Sequence, residues 1–479
     1  MGLKWKKMSA ANRIPDDVKK IHLIAVCGTG MGALACMLKD LGYAVTGSDA
    51  NVYPPMSAFL AEKGITVFKG FDAQHLAYGP DLVVVGNAVR RENPEAAATT
   101  EKGLNFCSMP QALNHFVADG KKALLVTGTH GKTTTSSMLA WILFTAGLDP
   151  SFMIGGILLD FDGNYRLGKG DYVVLEGDEY DTAYFDKQSK FYHFDPHVAI
   201  LTSVEFDHAD IFKDLAHVKQ TFDRFIDKFS NENYLIAYDC DENIDDLVAD
   251  KNAAIYRYGQ QPDSAWRITS SSVSPPWNCF KVWHDGQLFG DFKIKLPGAH
   301  NRLNALAAAA AAHQLGIPSN VIARAFETYS GVKRRQEVRG IKNGVTVIDD
   351  FAHHPTAVRE TIRAVRPFYP GGRLIAVFEP RTNTSMRDIF QEEYARVFDG
   401  ADVVCIRKPP LLGKIPENCR FSSEKLVEDL QKQGLDASYF QDTDAIIDFV
   451  ATIAKAGDVV LVMSNGGFDN IHERLLEIL

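Results

Sequence analysis

KALLVTGTHGKTTTSSMLAWILF (122–144) joins an apolar strand, a glycine-bearing turn and a helical stretch in one unbroken run. The turn is Gly128-Thr129-His130-Gly131-Lys132-Thr133-Thr134-Thr135. Backbone N–H groups in such a turn can cradle phosphates, Lys132 can neutralise β/γ charge, and Thr133 can ligate Mg²⁺. It departs from the standard phosphate loop, because Val126 stands where the first glycine would be. Gly-Lys-Thr-Thr between a strand and a helix fits a variant of that loop.

Upstream, a strand over 21–26 (IHLIAV) leads into a second glycine turn, Gly28-Thr29-Gly30-Met31-Gly32-Ala33, then a helix and a strand over 44–49 that ends on Asp49. Glycine lets a phosphate approach the backbone closely, and Asp49 stands where a ribose-binding acid is expected. The turn alone does not separate NAD from a nucleotide sugar. Downstream, apolar strands over 172–179 and 198–204 end on Glu176-Gly177-Asp178-Glu179-Tyr180-Asp181 and Glu205-Phe206-Asp207-His208-Ala209-Asp210. Ends of parallel strands face the ligand crevice, so Glu179 and His208 are candidate Mg²⁺ ligands beside Thr133.

The polar stretch 259–278 predicts a loop or hairpin excursion, and LNALAAAAAAHQLG (303–316) a strong helix. Asn301 and Asn304, one turn apart at its start, could read an adenine edge or simply cap the helix; spacing does not decide. Arg334-Arg335 suits a γ-phosphate clamp. Strands over 344–350, 373–380, 401–406 and 458–464 follow. The first ends on Asp349-Asp350-Phe351-Ala352-His353-His354-Pro355, which by composition could be a metal site of two Asp and two His, or a plain helix start at proline. Glu379-Pro380-Arg381-Thr382-Asn383-Thr384 and Met463-Ser464-Asn465-Gly466-Gly467-Phe468 end two more strands, and the fork of Arg381 suits a carboxylate.

Strands alternating with helices mark an α/β chain with parallel sheets. At 479 residues it is long enough for two to four domains. Its 46% hydrophobic and 23% charged content is that of a soluble globular protein, and a net charge of −9 argues against coating nucleic acid. The 7 cysteines show no metal or redox spacing, which fits the cytoplasm. No run is apolar enough to span a membrane, and residues 1–20 read as a flexible extension without a secretory core.

The motifs, taken in order, resemble the Mur ligases, which join amino acids or peptides to UDP-N-acetylmuramic acid. The likeness runs from about residue 21 to the C-terminus through the phosphate loop, the Glu179 and His208 motifs, HNRLNA, Arg335 and DDFAHHPTA. It implies a Rossmann-like UDP-sugar-binding domain (21–116), a P-loop ATP-binding central domain (117–330) and a Rossmann-like C-terminal domain (331–479) that closes on ATP and peptide. Within the family the chain is similar to the branches that use UDP-N-acetylmuramate itself. SDANVYPPM (48–56), EPRTNT (379–384) and MSNGGF (463–468) favour the branch taking the murein tripeptide L-alanyl-γ-D-glutamyl-meso-diaminopimelate over the one taking L-alanine.

The resemblance implies that Gly28, Gly30 and Asp49 contact the UDP-sugar. Gly128, Thr129, Gly131, Lys132, Thr133, Thr134, Asn301, Asn304, Arg335 and Asp350 would hold ATP. Thr133, Glu179 and His208 would hold Mg²⁺, His353 and Arg381 would meet substrate, and Lys132, His208 and Arg335 would be catalytic. It implies an acyl-phosphate route in a cytoplasmic monomer or homodimer, with UDP-N-acetylmuramate and tripeptide as partners and neither nucleic acid nor membrane. A NAD-dependent oxidoreductase would leave Gly-Lys-Thr-Thr and both acidic motifs idle.

Overall fold

Three large sheets and one two-stranded hairpin carry the chain in the computed structural model, which describes residues 12–54 and 56–479. The first runs Thr66–Lys69, Ala44–Asp49, Lys20–Ile24, Leu82–Val85, Phe106–Ser108, all parallel. From Lys20–Ile24 the chain builds outward to one side, then returns to add Leu82–Val85 on the other. That reversal opens a crevice beyond the ends of Ile24 and Val85, where ligands of doubly wound sheets bind. The first strand stops at Ile24, two residues short of expectation, because Ala25 turns to φ +63°. Of the extension expected over 1–20, residues 1–11 lie outside the described residues. Asn12 bridges to Phe106, Arg13 bonds Asn105, and Ile14 and Val18 pack against the core.

The second sheet has ten strands. At its centre Lys122–Thr127 lies between Pro196–Leu201 and Tyr172–Gly177, parallel to both. This brings the phosphate loop and both acidic motifs to one edge. The helix Lys132–Thr145 packs against Ala299–Gln314, whose residues Ala305–Ala312 are fully buried. Small side chains let a helix be covered on every side, which is what the alanine run is for. The polar stretch forms a hairpin, Trp266–Ser274 against Trp277–His284: Trp266 and Ile268 anchor its root in the core while the serine-rich tip stays exposed.

The third sheet runs Glu337–Lys342, Val345–Asp350, Val459–Met463, Leu374–Phe378, Val403–Arg407, Asp436–Phe440. Only the first strand is antiparallel. The inner strands are wholly buried and mostly apolar, as a sheet covered on both faces requires, with the polar Asp349, Asp350 and Arg407 at strand ends.

Behind Asp49 sits a buried carboxylate. Glu95, on the helix Pro94–Glu101, accepts from Ser48, lies 3.3 Å from His22 Nε2 and 2.6 Å from His75 Nδ1, and accepts from Asp72 N–H. Burial pushes its pKa up, yet His22, Ser48 and His75 together hold it below its usual 4.5. A carboxyl held low contributes stability above its unfolded pKa and loses it as pH falls through the folded one. Glu95→Gln is therefore expected to cost about 2 kcal/mol near pH 7, with a shallower loss than wild type on acidification below 4.5. Urea melts across that range test it; parallel acid limbs would show that Glu95 does not carry the dependence.

Candidate active site

The phosphate loop closes on a carboxylate from the next strand. Lys132 Nζ donates to its own loop at Gly128 O (2.6 Å) and Thr129 O (3.3 Å), and pairs with Glu179 at 3.0 Å. Burial opposes the ammonium charge, but Glu179, with Asp178 behind it, raises the Lys132 pKa above its usual value. The loop is braced from the side: Thr129 N bonds Ser203 O, and the Thr129 hydroxyl both bonds Glu205 O and accepts from Glu205 N. Gly131 has φ +80°, and a Cβ there would stand 2.6 Å from Asn304 Oδ1. Gly131→Ala is therefore expected to raise the KM for ATP roughly tenfold or more. Steady-state kinetics with varied ATP checks this; an unchanged KM would show the loop tolerates the substitution.

His208 Nε2 lies 3.1 Å from the other Glu179 oxygen. Its backbone has φ +56°, an unusual state for a non-glycine residue, held by Asp207 Oδ1 on its N–H and by Ile211 and Phe212 N–H on its carbonyl. Burial works against protonation of His208, but the bond to Glu179 raises its pKa. Asp207 is drawn down to about 2: burial pushes it up, and His208, His353 and His354 more than reverse this. Thr133 and Thr134 are buried at the helix start. The strand also places Glu176 here, with Oε1 on Gly155 N–H and its pKa raised by burial. Thr133, Glu176, Glu179 and His208 thus offer a hydroxyl, two carboxylates and one imidazole around the loop, a donor set that fits Mg²⁺ mainly through its oxygens.

Asn304 donates to Asn301 Oδ1 (3.2 Å), and Asn301 donates to Pro297 O and Gln336 Oε1. Both asparagines are buried beside the loop, and neither caps the helix, whose N-cap is Gly298 with no side-chain bond. The two arginines part company. Arg334 donates to Ser464 O and Gly466 O at 2.6 Å each, an internal tie. Arg335 makes no ion pair among the described residues, and its guanidinium lies 4.8 Å over the Phe351 ring. Asp350 accepts from Gln336, Ala352 and Thr361 and so braces the backbone next to Arg335. Burial raises the Asp350 pKa, with Arg335 opposing.

The two-Asp, two-His grouping is not assembled. Asp349 turns to His472, Arg334 and Arg339, while Asp350 faces the other way. His353 Nδ1 lies 3.0 Å from Phe351 O, and its Nε2 is 3.9 Å from Asp207. His354 caps the helix Pro355–Val365 and reaches Phe206 O. Arg381 Nη1 lies 3.5 Å from Glu379, which also meets Arg407 and Ser464. From the same segment, Thr384 accepts from Ala209 N–H (3.3 Å) beside His208.

At the first turn, Gly28 has an ordinary φ of −68°, and a Cβ there would meet nothing within 4 Å. The glycine leaves open space rather than permitting a turn. Gly30 would bring a Cβ within 3.5 Å of Met109. The space is a cavity of about 340 Å³ lined by Cys27 to Met31, Asp49, Gly86 to Ala88 and, from the second sheet's segment, Thr182 and Lys190. A neighbouring cavity of about 710 Å³ shares Asp49 and adds Arg90. Asp49 accepts from Cys27 and Asn51 N–H, which leaves it shaping the wall. Asn164, 1% exposed, donates to Thr29 O. Lys190 pairs with Asp178 at 2.6 Å. Sequence reasoning quoted Glu176 in the acidic motif without singling it out, and missed Thr182, Lys190 and Asn164; only Thr182 sits close enough to the Glu179 motif for proximity to have flagged it.

These contacts define a class: an α/β enzyme of three large sheets whose central unit, which carries the phosphate loop, touches both neighbouring units through Asn164 on Thr29, Thr384 on Ala209 and Thr356 on Glu205. Residues 20–121 match the Mur ligase family, catalytic domain; 126–312 match the Mur ligase middle domain; and 334–466 match the Mur ligase, glutamate ligase domain. The chain belongs to the Mur ligase family and is a ligase.

It is 41% identical over 463 residues to the UDP-N-acetylmuramate–L-alanyl-γ-D-glutamyl-meso-2,6-diaminoheptandioate ligase of Escherichia coli K12, covering 96% of this chain and 98% of that one. It is 34% identical to the UDP-N-acetylmuramate–L-alanine ligase of Syntrophomonas wolfei, covering 96% and 97%. The crystal structure of a murein peptide ligase from Psychrobacter arcticus 273-4 superposes with a TM-score of 0.70 at 35% identity, covering 96% and 98%. Among the described residues no helix is long and apolar enough to cross a membrane.

Proposed function

We propose that this protein is an ATP-dependent ligase that joins L-alanyl-γ-D-glutamyl-meso-diaminopimelate to the lactyl carboxylate of UDP-N-acetylmuramate, re-using murein tripeptide. One observation carries the reading. The cavity at the first glycine turn is lined on one side by Thr182 and Lys190, and Lys190 pairs with Asp178, the chain neighbour of the Glu179 that pairs with Lys132 of the phosphate loop. A sugar acid held at the first turn would face the γ-phosphate of ATP held at the second. The higher identity to the tripeptide-adding relative than to the alanine-adding one supports the choice of amine.

In this reading Gly28, Gly30 and Asp49 shape the UDP-sugar site. Gly128, Thr129, Gly131, Lys132, Thr133 and Thr134 hold the triphosphate, and Asn301, Asn304, Arg335 and Asp350 hold or brace ATP. The carboxylate attacks the γ-phosphorus and ADP leaves; the tripeptide amine then displaces phosphate from the acyl phosphate. Lys132 and Arg335 offset the repulsion as two anions meet. Mg²⁺ held by Thr133, Glu179 and His208 would supply further charge compensation. Arg381 and His353 orient the incoming peptide, and the C-terminal unit screens the acyl phosphate from water. We assign the working units to 21–116, 117–330 and 331–479 and place the reaction in the cytoplasm.

The test is ADP release and product mass with UDP-N-acetylmuramate, ATP and a panel of amines. Tripeptide is expected to be ligated and L-alanine to be a poor substrate. Efficient ligation of L-alanine with none of tripeptide would assign the protein to the alanine-adding branch, and no amine-dependent ADP release would end the proposal.

A further inference from the structure

We propose that His130, Glu205 and His354 form a site for a transition-metal dication of the zinc class, separate from the magnesium positions at Glu179 and His208. The three donor atoms all lie within 4.8 Å of one another. Glu205 Oε2 stands 3.4 Å from His130 Nε2 and 3.7 Å from His354 Nδ1. Ligands about 2.0–2.1 Å from a tetrahedral zinc are separated from each other by about 3.3–3.4 Å, so small side-chain shifts would close the site. Two imidazoles and one carboxylate with a fourth position open is a zinc-type donor set, unlike the oxygen-rich one beside Lys132.

The surroundings orient each donor. His354 Nε2 lies 3.3 Å from Phe206 O and donates to it, which puts the lone pair on Nδ1, facing Glu205. Thr356 Oγ1 donates to Glu205 Oε2 at 2.8 Å. His130 is pinned by its backbone, N–H to Ser203 Oγ and carbonyl from Thr202 Oγ1, and its buried Nε2 has no hydrogen-bond partner. Side-chain bonds such as those on His354 and Glu205 fix the orientation and basicity of ligands at metal centres. The Thr356 amide also reaches His354 Nδ1, at 3.3 Å. Metal binding would trade that long cap contact for a coordinate bond. His130 and Glu205 are 25% and 34% exposed, which gives an ion a way in.

His130 belongs to the phosphate loop and His354 opens a helix of the C-terminal unit. A bound ion would therefore fasten the two in the contact seen here and couple nucleotide access to transition-metal supply.

The experiment uses the full chain, nucleotide-free, in millimolar Mg²⁺ to saturate oxygen sites, with Co²⁺ as the probe. Equilibrium dialysis and visible absorption are expected to show one Co²⁺ per chain with the intense bands of low coordination. His354→Ala and Glu205→Gln should each abolish the bands, and His208→Ala should leave them. Thr356→Val keeps all three donors and should weaken binding about 10- to 100-fold. Circular dichroism establishes that each variant is folded, and Thr356→Val decides the matter if another variant is not. No Co²⁺ bound in Mg²⁺, bands that survive His354→Ala, or bands lost only in His208→Ala would overturn the site.

Discussion

Lys132→Met is expected to cut ADP release by about 10³-fold while UDP-N-acetylmuramate still binds. Methionine keeps the length and apolar stem and removes only the ammonium group. That group contacts Gly128 O and Thr129 O and pairs with Glu179, at the point where transferred charge must be met. The cavity proposed for the nucleotide sugar is lined by the first glycine turn and by Thr182 and Lys190, not by Lys132, so its occupancy should persist. One complication is stability. Glu179 is 3% exposed, and deleting the ammonium leaves this buried carboxylate with His208 as its remaining charged partner, a loss of up to about 3–5 kcal/mol. The double variant Lys132→Met/Glu179→Gln should recover stability without recovering turnover. Single-turnover ADP release, isothermal titration with UDP-N-acetylmuramate and urea melts separate the terms. Near wild-type ADP release from a folded Lys132→Met protein would refute the phosphate role.

Arg381→Ala is expected to raise the KM for tripeptide about 10- to 100-fold and to leave the KM for ATP nearly unchanged. The side chain is packed so closely on Gly466 that a Cβ there would stand 2.2 Å from Arg381 Cδ, which fixes the stem. Its guanidinium is 31% exposed and only loosely held by Glu379 at 3.5 Å, whose carboxylate is shared with Arg407 and Ser464. A planar cation with spare donors next to the His208 loop is suited to a peptide carboxylate. Initial rates with tripeptide varied at saturating ATP, then the reverse, give the split. An unchanged peptide KM would remove Arg381 from the substrate site.

Legibility followed distance along the chain. Lys132, Thr133 and Gly131 lie on one turn between a strand and a helix, so their shared chemistry was readable. The alanine helix and the parallel strands were readable for the same reason, since periodicity and propensity are local. Lys190 was not, because a single lysine in a polar segment carries no pattern; it joins the first cavity only through a short hairpin, Asp181–Ala183 against Asp186–Ser189, that precedes it. For Asp349, Asp350, His353 and His354 the sequence leaves a metal site and a helix start at Pro355 both open, and the structure shows the helix start, because neighbours in sequence need not be neighbours in space. Successive strand residues point to opposite faces, which sends Asp349 to His472 and Asp350 to Gln336.

By itself, then, the sequence determined the α/β architecture, the two glycine turns and the order of motifs that marks the family, because each is written in contiguous residues. Only the tertiary structure decided that Glu179, 47 positions beyond Lys132, closes on it. It alone divided Arg334 from Arg335, and it alone gathered His130, Glu205 and His354. Parallel strands that are neighbours in a sheet are joined by long crossovers, so the residues at their ends meet in space with no trace of that meeting in the spacing of the chain.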